Sequence, residues 1–397
     1  MSVFGLALRN LAGSVYRSAV VASCVLLLAG FSLFSTLIIR GSEDSLRLAL
    51  ARLGADVVVV PAGVEGEVET ALLMGKPVSA WMPRATLDRV ANTPGVAVAS
   101  PQLFLASLSN ASCCAVSEMF LIAFDPETDF TIRPWLEREL GKPLGVGEVI
   151  GGSYVFVPAG EDSIRLYNYP LTLRGNLEPT GSGLDQALFL TFETAHEMSS
   201  LSYTRAEKPL VIPPDSVSAV MVKVAPGADP RAIAAQIARE LPGVSAIHSP
   251  DLFAGYRRQM GTLAQGFLAA LGVAWVLSMV LIVLVFSIAA HERRRQLGVL
   301  RALGGSGGFV LRFLLAEAAI LGLAAGVAGV ALAALAAYLF RDLIVVTLGL
   351  PFLFPAAVEF LALAAAALAL ALGSLALATV WPALRASREE PALAMRG

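Results

Sequence analysis

The sequence predicts a membrane α-helical fold: four transmembrane helices, both termini cytoplasmic, with a large α+β extracytoplasmic domain between the first helix and the second. Three observations predict it. Hydrophobic residues make up 56% of the 397 and charged residues only 15%, and the mean hydropathy is +0.71, outside the range of ordinary water-soluble domains. The apolar excess is uneven, because residues 41–260 hold most of the Asp, Glu, Pro and Tyr while both ends are nearly continuous Leu, Ala, Val and Gly. Finally, four stretches reach the length of about 20 apolar residues that crosses about 30 Å of hydrocarbon at 1.5 Å per residue. A net charge of −2 gives no electrostatic footprint for nucleic acid.

The first span runs from Ser18 to Ile39 without an internal charge and follows Arg9 and Arg17. Its apolar run ends in Leu37-Ile38-Ile39-Arg40 rather than in the small residues of a cleavage site, so it is expected to be a retained anchor. The other spans are Leu263 to Ala290, Phe309 to Phe340 and Ala356 to Trp381. Arg293, Arg294, Arg295, Arg301 and Arg312 crowd the loop between the second and third spans, whereas the loop after the third has Arg341 beside Asp342. Short basic loops stay cytoplasmic, and Arg385, Arg388 and Arg396 in the tail agree. The expected layout is 1–40 for the N-terminal segment and first span, 41–262 outside, 263–290, 291–308 inside, 309–340, 341–355 outside, 356–381, and 382–397 inside. This is a multi-pass protein of the inner, or cytoplasmic, membrane, in contact with membrane lipid.

In the outer domain, Asp56-Val57-Val58-Val59-Val60-Pro61 has the signature of a buried strand. After a loop, Ala85 to Ala91 has helical spacing, and Thr93-Pro94-Gly95 closes it before another strand at Val96. The far end repeats this grammar: a strand over 218–224, a helix opened by Asp229-Pro230, then Pro242-Gly243 and a strand. Two β-α-β units therefore bracket a lobe over 147–192 that reads as strands and turns. Ser249-Pro250-Asp251 starts a helix that nothing obvious interrupts before Ala290. At about 60 Å it is twice the hydrocarbon thickness. Half of it should stand outside as a stalk, and the first helix should do the same as far as Gly54, unless Gly41-Ser42 kinks it. Such stalks either transmit force or merely hold the domain off the membrane.

No catalytic set is legible. Gly75-Lys76 and Gly141-Lys142 are each followed by proline, so no phosphate loop is present. The three histidines are scattered, with no Ser/His/Asp or H-x-x-x-H arrangement. The chain is not expected to be an enzyme or to bind a cofactor.

The run Glu292-Arg293-Arg294-Arg295-Gln296-Leu297-Gly298-Val299-Leu300-Arg301-Ala302-Leu303-Gly304 can form a short amphipathic helix ended by glycine. By periodicity alone it is an interfacial anchor as readily as anything functional. It also closely resembles the E-R-R-x-x-[IL]-G-x-L-[RK]-A-[LI]-G signature of FtsX-like permeases, the MacB-type or type VII ABC transporter family. The tail Trp381-Pro382-Ala383-Leu384-Arg385-Ala386-Ser387-Arg388, with Pro391 to Arg396, is similar to that family's closing pattern, and Leu8-Arg9-Asn10-Leu11 and Leu53-Gly54-Ala55-Asp56 also resemble its segments. The resemblance implies a permease that pairs with a second copy or a paralogue. It also implies a coupling helix resting on a separate ABC ATPase, where ATP-Mg is bound. That role passes to Glu292, Arg293, Arg294, Leu297, Gly298, Leu300, Arg301, Leu303 and Gly304. In such systems ATP-driven motion is relayed along the stalks to the outer domain, a mechanotransmission that moves or extrudes substrate. The alternative is a regulator that transports nothing and activates an extracytoplasmic partner such as a cell-wall hydrolase. The large two-lobed domain favours transport.

Two further features remain open. Gly322, Gly326 and Gly329, and Gly373 with its small neighbours, form faces that let helices approach closely in lipid, either within the chain or at a dimer seam. Cys113 and Cys114 are adjacent in the exported domain. Readings as a strained vicinal disulfide, a redox-exchanging or intermolecular pair, a soft-metal thiolate site or inert thiols all stand. Glu317 and Glu359 are the acids within the spans, and each is expected near a span end.

Overall fold

The structure, a computed structural model, describes residues 15–107, 119–160, 162–292, 307–341, 343–344 and 351–388. Four of its helices are long and apolar enough to cross a membrane: α1 (Val15–Leu53), α8 (Ala254–Glu292), α9 (Gly307–Leu339) and α10 (Ala357–Arg388). The chain packs as two units. One comprises Met1–Arg40, Met260–Arg341 and Phe354–Gly397, and the other Gly41–Gln259 with Asp342–Leu353. Part of the connection between the third and fourth spans thus belongs to the outer unit.

The membrane unit buries the small-residue faces of its helices. Val21, Cys24, Val25, Leu28 and Ala29 of α1 pack with Ile282, Ala318, Ala325, Ala371 and Leu375. Further along, Leu33 and Leu37 meet Ala333, Ala337 and Ala367. Many large apolar side chains of α8, such as Leu268, Val273 and Leu277, are exposed outside this core, as lipid-facing positions should be. α1 is helical through Gly41-Ser42 without a break.

The outer unit is built on one nine-stranded sheet, ordered β11-β1-β10-β3-β4-β8-β5-β7-β6. Its first half interleaves two β-α-β units. β1 (Val57–Pro61) leads through α2 (Glu65–Met74), β2 (Met82–Pro83) and α3 (Ala85–Ala91) to β3 (Val96–Ala106). β10 (Ala219–Val224), α6 (Pro230–Glu240) and β11 (Val244–His248) form the second. β1 lies antiparallel between β10 and β11, and β10 between β1 and β3, which makes the two units a split pair. All four valines of β1 are fully buried, the reason for their unbroken apolar run. Asp229 caps α6, its carboxylate accepting from the Arg231 amide at 3.0 Å, with Pro230 at the first turn.

β4 (Phe120–Phe124) then pairs antiparallel with β3 and parallel with β8 (Leu188–Thr191). β5 (Glu148–Gly151), β7 (Tyr169–Asn176) and β6 (Ile164–Leu166) complete the sheet. Tyr167 and Asn168, at φ 53° and 55°, make the two-residue hairpin turn between β6 and β7.

The β-rich lobe expected from the sequence continues the sheet of the β-α-β units through β3 and β4. Three further helices were not anticipated from the sequence: α2, which lies where a loop was expected, α4 (Arg133–Glu139) and α5 (Phe192–Arg205). α2 hides its period among glutamates, yet Val68, Ala71 and Leu72 are its buried face and Gly75, at φ 67°, its left-handed stop. α5 buries Ala195, Met198, Ser199 and Ser202; hydroxyls within that face mask its apolar spacing. Residues 152–158, expected as strand, form a loop whose Gly152 and Val155 carbonyls accept from the Asn176 amide at 2.7 Å each.

The helix expected to run unbroken from Ser249 is in two pieces. α7 (Ser249–Leu252) stops at Phe253, and α8 begins anew at Ala254. The reason is a cap from outside, where the Glu69 carboxylate of α2 accepts the Tyr256 amide at 2.9 Å. This satisfies one donor of the first turn.

Candidate functional site

Three places hold the polar and close-packed contacts of the described residues: the inner ends of the spans, the helix contacts within the membrane unit, and the outer unit where α1 ends.

At the inner ends, Glu292, the last residue of α8, accepts from Arg17 Nη1 at 2.5 Å. Their side chains are 29% and 58% exposed for Arg17 and Glu292 respectively, so the pair ties α1 to α8 with little net stabilisation. Arg17 is a partner that the sequence did not reveal, since it lies 275 residues away. Of the expected coupling positions only Glu292 is described. Arg293, Arg294, Leu297, Gly298, Leu300, Arg301, Leu303 and Gly304 lie outside the described residues.

Within the membrane unit, a Cβ on Gly329 would collide with the Leu26 backbone, and one on Gly30 would come within 3.1 Å of the Gly329 carbonyl oxygen. The backbones of α1 and α9 thus touch at this point. A Cβ on Gly326 would lie 2.6 Å from the Leu368 side chain, and one on Gly322 would collide with that of Leu375. These three glycines pack inside the chain. Gly373 meets nothing within 4 Å and is not part of that packing. Trp275 Nε1 donates to Ser374 Oγ at 2.7 Å, a hydrogen bond between α8 and α10. Glu317, expected near a span end, is buried at 7% exposure within the apolar segment Leu311–Leu339.

In the outer unit, α1 ends beside the turn 178–186. Arg52 donates to the Glu178 carbonyl at 2.9 Å and reaches the Glu178 carboxylate at 3.3 Å. Asp185, 1% exposed, holds the turn closed. Its carboxylate accepts from the Thr180 amide and hydroxyl at 2.9 Å and from the Gly181 amide at 2.6 Å. Burial pushes the Asp185 carboxyl above its ordinary range, against the opposing pull of these donors and of Arg52. The C-terminal stop of α2 leans on the same turn, because Gly75 would place a Cβ 2.9 Å from the Gly183 carbonyl oxygen.

At the root of α8, Asp251 accepts from Arg231 at 3.2 Å and lies 3.0 Å from His248 Nδ1. The hydrogen bond with His248, followed by the charge of Arg231, holds the Asp251 carboxyl below its ordinary range. A half-open cleft of about 430 Å³ lies by α4, floored by Phe124, Leu136 and Leu144. Its cations are already matched, Arg133 by Glu137 at 2.8 Å and Lys142 by Glu148 at 3.8 Å.

Cys113 and Cys114 lie outside the described residues, in the connection between β3 and β4. Among the described residues no cluster of three or more His, Cys, Asp or Glu could hold a metal ion.

Comparison with known proteins bears on the membrane unit first. Residues 268–391 match the family model of the FtsX-like permease C-terminal region. The chain carries an FtsX-like permease domain. The matched segment spans most of α8, all of α9 and α10 and the loop with the Glu292–Gly304 run. Among solved structures, the outer half is similar to the periplasmic region of MacB from Actinobacillus actinomycetemcomitans. That match has 6% identity and a TM-score of 0.32, and covers 51% of this chain and 94% of that one. It is also similar to the extracellular domain of the noncanonical ABC-type transporter YknZ from Gram-positive bacteria, at 10% identity and a TM-score of 0.27, covering 49% and 98%. No curated protein matches the chain.

Proposed function

We propose that this FtsX-like chain is the membrane subunit of an ABC transporter that relays the ATP-driven motion of a separate ATPase to its outer unit, to move or extrude a substrate. The observation that carries the reading is α1. It is one helix of 39 residues, about 58 Å long at 1.5 Å per residue, nearly twice the hydrocarbon thickness. Its first part is packed into the core of the membrane unit and its last turns into the outer unit. A helix is stiff along its axis, so displacement at Arg17 reaches Arg52. α8, also 39 residues, returns from the outer unit to Glu292, at the head of the run proposed to rest on the ATPase. The buried clusters that join α1, α8, α9 and α10 are apolar, with Glu317 a buried acid beside them, a composition that favours helices shifting as bodies over a continuous polar path.

The test is reconstitution of the full chain with its ATPase in nanodiscs, with spin labels on Val98 and Phe156, exposed at 40% and 71% in different parts of the outer unit. Trapping the ATP-bound state should change the distance distribution of the labels. An outer unit indifferent to nucleotide, while the ATPase is active, would remove the relay.

A further inference from the structure

The connection between α9 and α10 carries a feature that neither the stalks nor the coupling loop accounts for. Pro351-Phe352-Leu353-Phe354-Pro355 is a short segment with buried proline at each end. Phe352 is 4% exposed and belongs to the outer unit. Its amide donates to the Gly181 carbonyl at 2.9 Å, and the Leu353 amide donates to the Gly41 carbonyl of α1 at 3.1 Å. Both receiving glycines are shaped to this contact. A Cβ on Gly41 would lie 2.5 Å from the Phe352 ring, and one on Gly181, which sits at φ 70°, would lie 2.5 Å from the Phe352 carbonyl oxygen. Gly181 is the residue whose own amide Asp185 holds.

Two residues further on, Phe354 belongs to the membrane unit. Its ring stacks against Phe360 of α10 at 5.6 Å and edge-on against Tyr338 of α9 at 6.4 Å. One short stretch of chain is therefore held at both ends: Phe352 is fixed in one unit and Phe354 in the other. The prolines fix φ near −65° and restrict the residues before them, which leaves little slack to absorb movement.

We propose that Pro351–Pro355 is a third mechanical linkage beside the two long helices, a strap through which displacement of the third and fourth spans pulls on the Gly181 turn and on α1 at Gly41. The strap rests on the relay reading above and adds a route to it. Force entering through α9 and α10 reaches the Asp185-held turn directly, and that turn supports the end of α1 through Glu178 and Arg52.

The test uses the same reconstituted complex and labels with two variants. A short flexible Gly-Ser insertion between Leu353 and Phe354 leaves both rings free to dock but slackens the chain between them. Phe352→Ala removes the outer anchor, and Phe352→Leu serves as its conservative partner. If the strap carries force, the insertion and Phe352→Ala lower the nucleotide-driven population shift of the labels by about five-fold or more, Phe352→Leu restores most of it, and ATP hydrolysis continues. A wild-type complex that responds while the insertion variant responds equally overturns the strap and leaves the relay standing. A wild-type complex that hydrolyses ATP without any label response overturns the relay, and the strap with it.

Discussion

Asp185 shows how much one side chain decides. Four residues of turn are closed around a carboxylate that water barely reaches, and its acceptors are used by three donors of Thr180 and Gly181. Asn in its place would present an NH2 group to those donors, so Asp185→Asn should cost about 1–3 kcal/mol, the usual penalty for a buried group left unmatched. The pH dependence has a definite sign. With its folded pKa above the ordinary carboxylate value, the folded protein holds a proton that the unfolded chain has released. The Asp185 contribution is therefore greatest below the ordinary value and falls as pH rises through the raised one. Unfolding midpoints of wild type and Asp185→Asn, followed upward from acid pH, should converge; a gap that widens with pH would contradict the assignment. None of this was legible in the sequence, where Asp185 is one polar residue in a Gly-rich turn. Glu292 was legible through its run, but Arg17, its partner, was not, because pairing across 275 residues is a property of the fold.

At the scale of elements, the glycines separate into two kinds that composition cannot distinguish. Gly329 has the Leu26 backbone against it, while Gly373 faces open space. Backbone cannot step aside as a side chain can, so Gly329→Val should abolish folded protein in detergent extracts, whereas Gly373→Ala should stay within about 0.5 kcal/mol of wild type. Size-exclusion profiles and thermal unfolding of the two variants read this directly; equal tolerance at both sites would mean that α1 and α9 do not touch there. The helices of the outer unit carry a parallel lesson. α3 and α6 were readable because proline and glycine punctuate them, and α2 and α5 were not, because glutamates and hydroxyls interrupt their apolar spacing. The break at Phe253 was invisible for another reason. It is imposed by Glu69, a capping group supplied by a different helix.

For the whole molecule, the proposed relay takes its ATP-driven motion from a separate ABC ATPase. Gentle detergent extraction from native membranes should therefore recover an ABC ATPase with the full chain. Repeated recovery of the chain alone, under conditions that preserve its fold, would count against both the transporter and the regulator readings. α1 begins in the membrane unit and ends in the outer unit, where the Asp185 carboxylate, Gly41, Gly181 and the Phe352-Leu353 segment form one set of tight contacts.

By itself the sequence determined the four apolar spans, the insertion of a mixed α/β domain after the first span and the resemblance to FtsX-like permeases. These follow from local quantities, since hydropathy, charge and punctuation act over a turn or a span. Only the tertiary structure decided that the two β-α-β units interleave, that the β-rich lobe continues their sheet, that α8 starts afresh under Glu69, and that the third outer connection is docked at Gly41 and Gly181. Each of those depends on groups distant in sequence meeting in space, where a hydrogen bond made or a Cβ excluded sets the geometry, and no window along the chain contains both partners.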